Sequence, residues 1–172
     1  FPIEGLKAFN MDISGIDTAY GWLKSEGYIF ILLVTSAYAG ILGGNIVLKE
    51  ESDKTIEYLN SLPVSRKQIV VEKINCCLFY IIMMILFVGI VNYICLMISG
   101  DFDQKQYLWL MIAPILPAMI FFGLSLAVST YFHKSRNMMP ISIGLVFISY
   151  FIQVVANMSE KVEFLKYFSI FT

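Results

Sequence analysis

The chain has 172 residues, of which 58% are hydrophobic and 15% charged, against roughly 45–50% apolar and 25% charged in soluble domains. Its mean hydropathy is +0.74, and the apolar residues fall in four long runs that a chain of this size cannot hide in a soluble core, which excludes the soluble globular classes. The balance of 12 Lys plus Arg against 13 Asp plus Glu, a net charge of -1, leaves no basic excess for neutralising phosphates and excludes nucleic acid as a partner.

The chain opens on Phe1, and residues 1–27 show no basic n-region followed by a short apolar core, so it reads as an internal stretch of a longer chain with an external first segment. The first apolar run, 28–48, is long enough at about 1.5 Å per residue to cross a hydrocarbon layer of about 30 Å. Within it Ser36, Gly40 and Gly44 recur at four-residue spacing, with Ala39 and Gly43 one position away. One helix face is therefore nearly bare, and a second helix can approach it closely, either within the subunit or across a subunit dimer.

Further runs span 74–99, 107–132 and 138–157, and none of the four contains a charged residue. The expected fold is an all-α polytopic transmembrane helix bundle. Cys76, Cys77 and Cys95 sit inside the second run at a spacing that matches no zinc or iron–sulfur site, and they read as reduced, buried packing residues. Pro114 and Pro117 each remove a backbone donor from the third run and predict a kink in its outer half. Pro140, near the start of the fourth run, suits the first turn of a helix, where its missing N–H costs nothing. Tyr20, Trp22, Tyr107 and Trp109 fall near predicted span ends, where amphipathic rings favour the headgroup level.

Orientation follows from the short connections, because Lys and Arg bias a loop toward the cytoplasm. Lys49, Lys54, Arg66, Lys67, Lys73, Lys134 and Arg136 lie on one side, against Lys7, Lys24, Lys105, Lys161 and Lys166 on the other. That margin puts residues 49–73 and 133–137 inside, and residues 1–27, 100–106 and the tail outside.

The chemistry the spans omit is equally informative. Their polar content includes the amides of Asn45, Asn75, Asn92, Gln153 and Asn157, which read as glue between helices or as the lining of a polar path. No ionisable relay of the kind that drives proton- or ion-coupled transport is present in them. No HExxH pair or GxxxxGK[ST] loop occurs, and the chain is read as offering no catalytic, metal or nucleotide-binding residues. His133 has no second His and no Cys close to it in sequence, and the nine methionines, including the pairs Met83, Met84 and Met138, Met139, read as packing.

Between the first two spans lies KEESDKTIEYLNSLPVSRKQIVVEK, residues 49–73, too polar for the bilayer and too patterned for a bare linker. Ser52 or Asp53 can cap a helix, and Ile56, Leu59 and Leu62 recur at three-residue spacing with Tyr58 near the same side. Pro63 ends that helix, and Ser65 can cap a second one whose Arg66, Lys67 and Lys73 meet the headgroups. An amphipathic helix lying on lipid fits the pattern. Its acidic first half, Glu50, Glu51, Asp53 and Glu57, is repelled by anionic lipid and suits a basic groove on a cytoplasmic protein instead.

This run resembles the first cytoplasmic loop of bacterial ATP-binding-cassette (ABC) transporter permeases of the type-2 export class. In that family an acidic pair precedes a Ser/Gly-x-Thr-x-Glu-like helix, then Leu-Pro-Val-Ser-Arg, then a Lys entering the next span. Glu50, Glu51, Thr55, Glu57, Tyr58, Leu59, Leu62, Pro63, Val64, Ser65, Arg66 and Lys73 match in type and order, while Lys54 stands where many members have Gly. The resemblance implies a membrane-spanning permease subunit that forms a translocation path in the bacterial cell membrane. It also implies a coupling helix in which Glu50, Glu51, Thr55, Ile56, Glu57, Tyr58, Leu59, Leu62, Pro63 and Arg66 engage a cytoplasmic ABC ATPase subunit. ATP and Mg are then bound by that partner, this chain holds no cofactor, and a second permease subunit, identical or different, completes a dimer within the lipid. Family members usually have six spans where four are read here. The alternatives are a secondary carrier or channel, or a non-transporting membrane anchor subunit; the substrate cannot be read from the spans.

Overall fold

The computed structural model describes residues 18–52, 65–100, 102–132 and 138–158, all of them helix, turn or short connection with no strand among them. Four helical segments, Ala19–Ile46, Lys67–Ser99, Gln104–Ser129 and Met138–Ala156, are long and apolar enough to cross a membrane. The molecule is thus an all-α bundle of membrane-spanning helices.

The first span starts at Ala19, earlier than hydropathy places it at Tyr28. Thr18 caps α1 (Ala19–Trp22) by accepting a hydrogen bond from the Gly21 N–H at 3.1 Å. A single π-helical turn, Leu23–Gly27, then runs without a break into α2 (Tyr28–Ser52). Lys24 and Glu26 interrupt the apolar pattern here, but the turn buries Leu23, Ser25 and Gly27 and leaves Lys24 exposed. The Ser25 hydroxyl donates to the Gly21 carbonyl at 3.0 Å, taking up one of the acceptors near the π turn.

Helix α3 (Arg66–Ser99) is a single element of 34 residues. Ser65 caps it, accepting from the Gln68 N–H at 3.3 Å, so the helix that Ser65 initiates and the second span are the same helix. Gly100, at φ 136°, ends it in a conformation that a side chain rarely adopts. Helix α4 (Gln104–Ile112) begins at Asp103, whose carboxylate accepts from the Lys105 N–H at 3.0 Å. At Ala113 and Pro114 the third span breaks, and α5 (Ile115–Ser129) follows. With no proline N–H at position 117, the Ala113 carbonyl accepts from Leu116 N–H at 3.4 Å, a tightened turn that reuses the freed acceptor. Helix α6 (Met138–Met158) carries Pro140 in its first turn, where no intrahelical donor is lost.

Helix α2 is the hub: it packs most extensively on α5, then on α6, then on α3. One core cluster joins Ala39 of α2 to Ile81 and Ile85 of α3 and to Ala118 and Phe122 of α5. A second joins Leu23, Leu96, Tyr107 and Met111 toward the other end of α3. The contact stripe along α3 is narrow, with Ile74, Cys77, Leu78, Ile81 and Ile85 on it, so most of that helix faces outward.

This packing corrects two expectations and details a third. Cys76 and Cys95 are exposed and Cys77 is half-buried, because the first two fall off the α3 stripe. Tyr107, three residues into the third span, turns its ring inward: it is buried, its hydroxyl donates to the Gly89 carbonyl, and its ring packs with Tyr93 and Phe102 at centroid distances of 5.7 Å. Asn92 does not reach across to another helix by its side-chain N–H; it donates to the Val88 carbonyl of its own helix at 2.8 Å.

Candidate functional site

The coupling residues read from the sequence divide into three groups. Glu50 and Glu51 lie in the last turn of α2, which ends at Ser52, and Arg66 is the first residue of α3. Thr55, Ile56, Glu57, Tyr58, Leu59, Leu62 and Pro63 lie outside the described residues. The loop is therefore bracketed by two long helices, one of which is the hub of the bundle.

The small residues of α2 lie in the interior. A Cβ on Gly40 would sit 3.1 Å from the Ser125 hydroxyl oxygen of α5 and 3.4 Å from the Ser142 Cβ of α6. One on Gly44 would sit 3.0 Å from the Ser142 hydroxyl and 3.0 Å from the Met138 Cε. The tightest approach is at Gly43, where a Cβ would run into the backbone carbonyl oxygen of Phe122. Ser36, one turn before Gly40, is fully buried. Ser36, Gly40 and Gly44 thus form part of a three-helix seam between α2, α5 and α6 of one chain.

Sequence reasoning missed the far side of this seam. Ser125, Ser129, Ser142 and Ser149 are all buried, the first pair four residues apart on α5 and the second pair seven apart on α6. That spacing, read as a small-polar helix face opposite the α2 glycines, was the available signal.

Between α3 and the α4–α5 break lies an apolar cavity of about 490 Å³, walled by residues including Ile85, Gly89, Tyr107 and Met111. Its walls offer hydrophobic contact and almost no polar grip. Among the described residues no group of three His, Cys, Asp or Glu side chains is placed to hold a metal ion.

No curated protein and no solved structure significantly matches this chain. The family model described as ABC-2 family transporter protein matches residues 3–172, nearly the whole chain and the entire helical bundle. Four span-capable helices, a polar loop between the first two and that match together show that the chain belongs to the ABC-2 transporter family, as a multi-pass membrane permease component of an ABC transporter.

Proposed function

We propose that this permease exports its substrate by coupling to a separate cytoplasmic ATPase through residues 49–73. The observation that carries the reading is the loop itself: an acidic pair, an apolar ridge at Ile56, Leu59 and Leu62, and a Pro63 stop, set between the first two spans of a family member. Family members generally work with cytoplasmic ATPase subunits, and this chain has no phosphate-cradling loop of its own. ATP and Mg bind to that partner. Its closure on nucleotide pushes the loop helix, and α2 carries the push into the bundle, shifting the balance between inward- and outward-open states. A second permease subunit completes the translocation path in the cell membrane.

The test is co-purification of the full-length protein in mild detergent, with and without residues 53–63 replaced by a Gly/Ser linker. A nucleotide-binding subunit retained by the native protein and lost on replacement is the expected result. The double substitution Glu57→Lys with Leu59→Asp is expected to abolish the same retention. If no ATPase accompanies either form, the coupling reading fails and the loop is a lipid-surface helix.

A further inference from the structure

Four hydroxyls on the bundle helices are paired within their own helix. Ser25 donates to the Gly21 carbonyl at 3.0 Å, Ser99 to Cys95 at 3.0 Å, Ser129 to Leu126 at 2.7 Å and Thr130 to Ala127 at 2.7 Å. Such back-bonding is the ordinary way a serine hides its hydroxyl in a helix. Ser36, Ser125 and Ser142 break the pattern. All three are fully buried, and none of their hydroxyls has a hydrogen-bond partner. They share one place: the Ser125 hydroxyl faces Gly40 and the Ser142 hydroxyl faces Gly44, one and two turns along α2 from Ser36.

A buried hydroxyl without a partner carries its full desolvation cost, and the cost is greater where no water competes. An arrangement that leaves three of them unpaired at one seam is disfavoured relative to any nearby arrangement that pairs them. The α2 side of the seam is built of Gly40 and Gly44, which place no side chain across it. Helix shifts on the usual scale of about 1–2 Å change which carbonyls and hydroxyls face one another across such a seam.

We propose that Ser36, Ser125 and Ser142 form a hydrogen-bond switch, unpaired in the arrangement described here and paired in the alternative state of the transport cycle. The proposal rests on the ATP-coupled reading above, because α2 is the helix that leads into the coupling loop. The seam opposes this state and favours its partner, which lowers the work that ATP binding must do on the loop.

The experiment compares the native full-length protein with Ser36→Ala/Ser125→Ala/Ser142→Ala, and with Ser129→Ala as a control whose hydroxyl is already paired. Thermal unfolding of the permease in detergent without nucleotide is expected to rise by about 2–4 °C in the triple variant, since unpaired hydroxyls have been removed. MgATP hydrolysis by the reconstituted permease–ATPase complex is expected to fall about threefold for each hydroxyl removed, the size of an average intramembrane hydrogen bond. Ser129→Ala leaves that turnover unchanged. A lowered unfolding temperature in the triple variant means that the hydroxyls are already paired at rest, and overturns the switch. Native turnover in a well-folded triple variant overturns it equally. Failure of the native protein to retain any ATPase is a different result: it removes the coupling reading and the switch with it.

Discussion

At the scale of single residues, Gly43 and Tyr107 each make one specific contact that a substitution removes or blocks. Gly43 lets the α2 backbone meet the Phe122 carbonyl of α5, and any Cβ there must push the two helices apart. Overpacking of this kind costs about 1–3 kcal/mol, so Gly43→Ala is expected to lower the unfolding temperature of the detergent-solubilised protein by several degrees. Gly123 and Gly144 lie in helices with open space where a Cβ would stand. Alanine at either is expected to be neutral or stabilising by up to about 1 kcal/mol, through helix propensity alone. If Gly43→Ala matches those two, the close approach is not what holds α2 against α5. Tyr107 tests a different force. Tyr107→Phe keeps the ring in contact with Tyr93 and Phe102 and removes only the bond to the Gly89 carbonyl. A loss of about 1 kcal/mol in denaturant unfolding is expected, with no change in cooperativity.

At the scale of elements, the start of α3 is fixed by a side-chain cap at Ser65. The Gln68 N–H is shared between the Ser65 hydroxyl at 3.3 Å and the Ser65 carbonyl at 3.0 Å, so losing the hydroxyl leaves the first turn on the backbone bond alone and loosens it. Ser65→Ala is expected to cost about 1 kcal/mol of helix stability. Amide hydrogen exchange should speed up at residues 66–69 and stay slow beyond them, while Ser65→Asp, which keeps an acceptor, should restore protection. Ser65 was legible as a cap because a short polar side chain followed by a helix-compatible run is a local signal. Pro114 and Pro140 were legible for the same reason, each acting through its own missing N–H. The beginning of the first span at Ala19 was not, since Lys24 and Glu26 break the hydropathy window, and only the π turn reveals which of residues 23–27 face inward. The sides of α3 were hidden too. Nearly every residue from 74 to 99 is apolar, so no periodic contrast marks the stripe through Ile81 and Ile85, and the outward placement of Cys76 and Cys95 is set only by which helices pack there. Tyr107 suits a headgroup belt and an aromatic core equally well, and the choice depended on Phe102 and Tyr93 meeting it in space.

At the scale of the whole molecule, the distribution of charge bears on the energy source. The charged residues of the four span-capable helices, Lys24, Glu26, Lys67, Glu72, Lys73 and Lys105, all lie within the first eight residues of their helix, and the rest of each span has no Asp, Glu, Lys, Arg or His. Proton- and ion-driven carriers need ionisable groups at membrane depth, where a charge is held only because the cycle uses it. The carboxylates and cations of this chain lie toward the helix ends and in the connections, and the loop 49–73 holds Glu50, Glu51, Asp53, Glu57 and Glu72 together with five of the 12 Lys and Arg. On the coupling reading proposed above, work enters from the loop side, where these charges are, and passes through α2 into the seam with α5 and α6. Transport by the assembled complex is therefore expected to stop on ATP depletion, or when the partner ATPase is made unable to hydrolyse ATP. It is expected to continue when a protonophore collapses the proton gradient at constant ATP. Flux measured in proteoliposomes with ATP enclosed on the loop side separates the two. Flux that survives without ATP and dies with the gradient would mean that the polar groups left in the spans, Asn45 and Gln153 among them, carry an ion path, and that the loop is not the point at which energy enters.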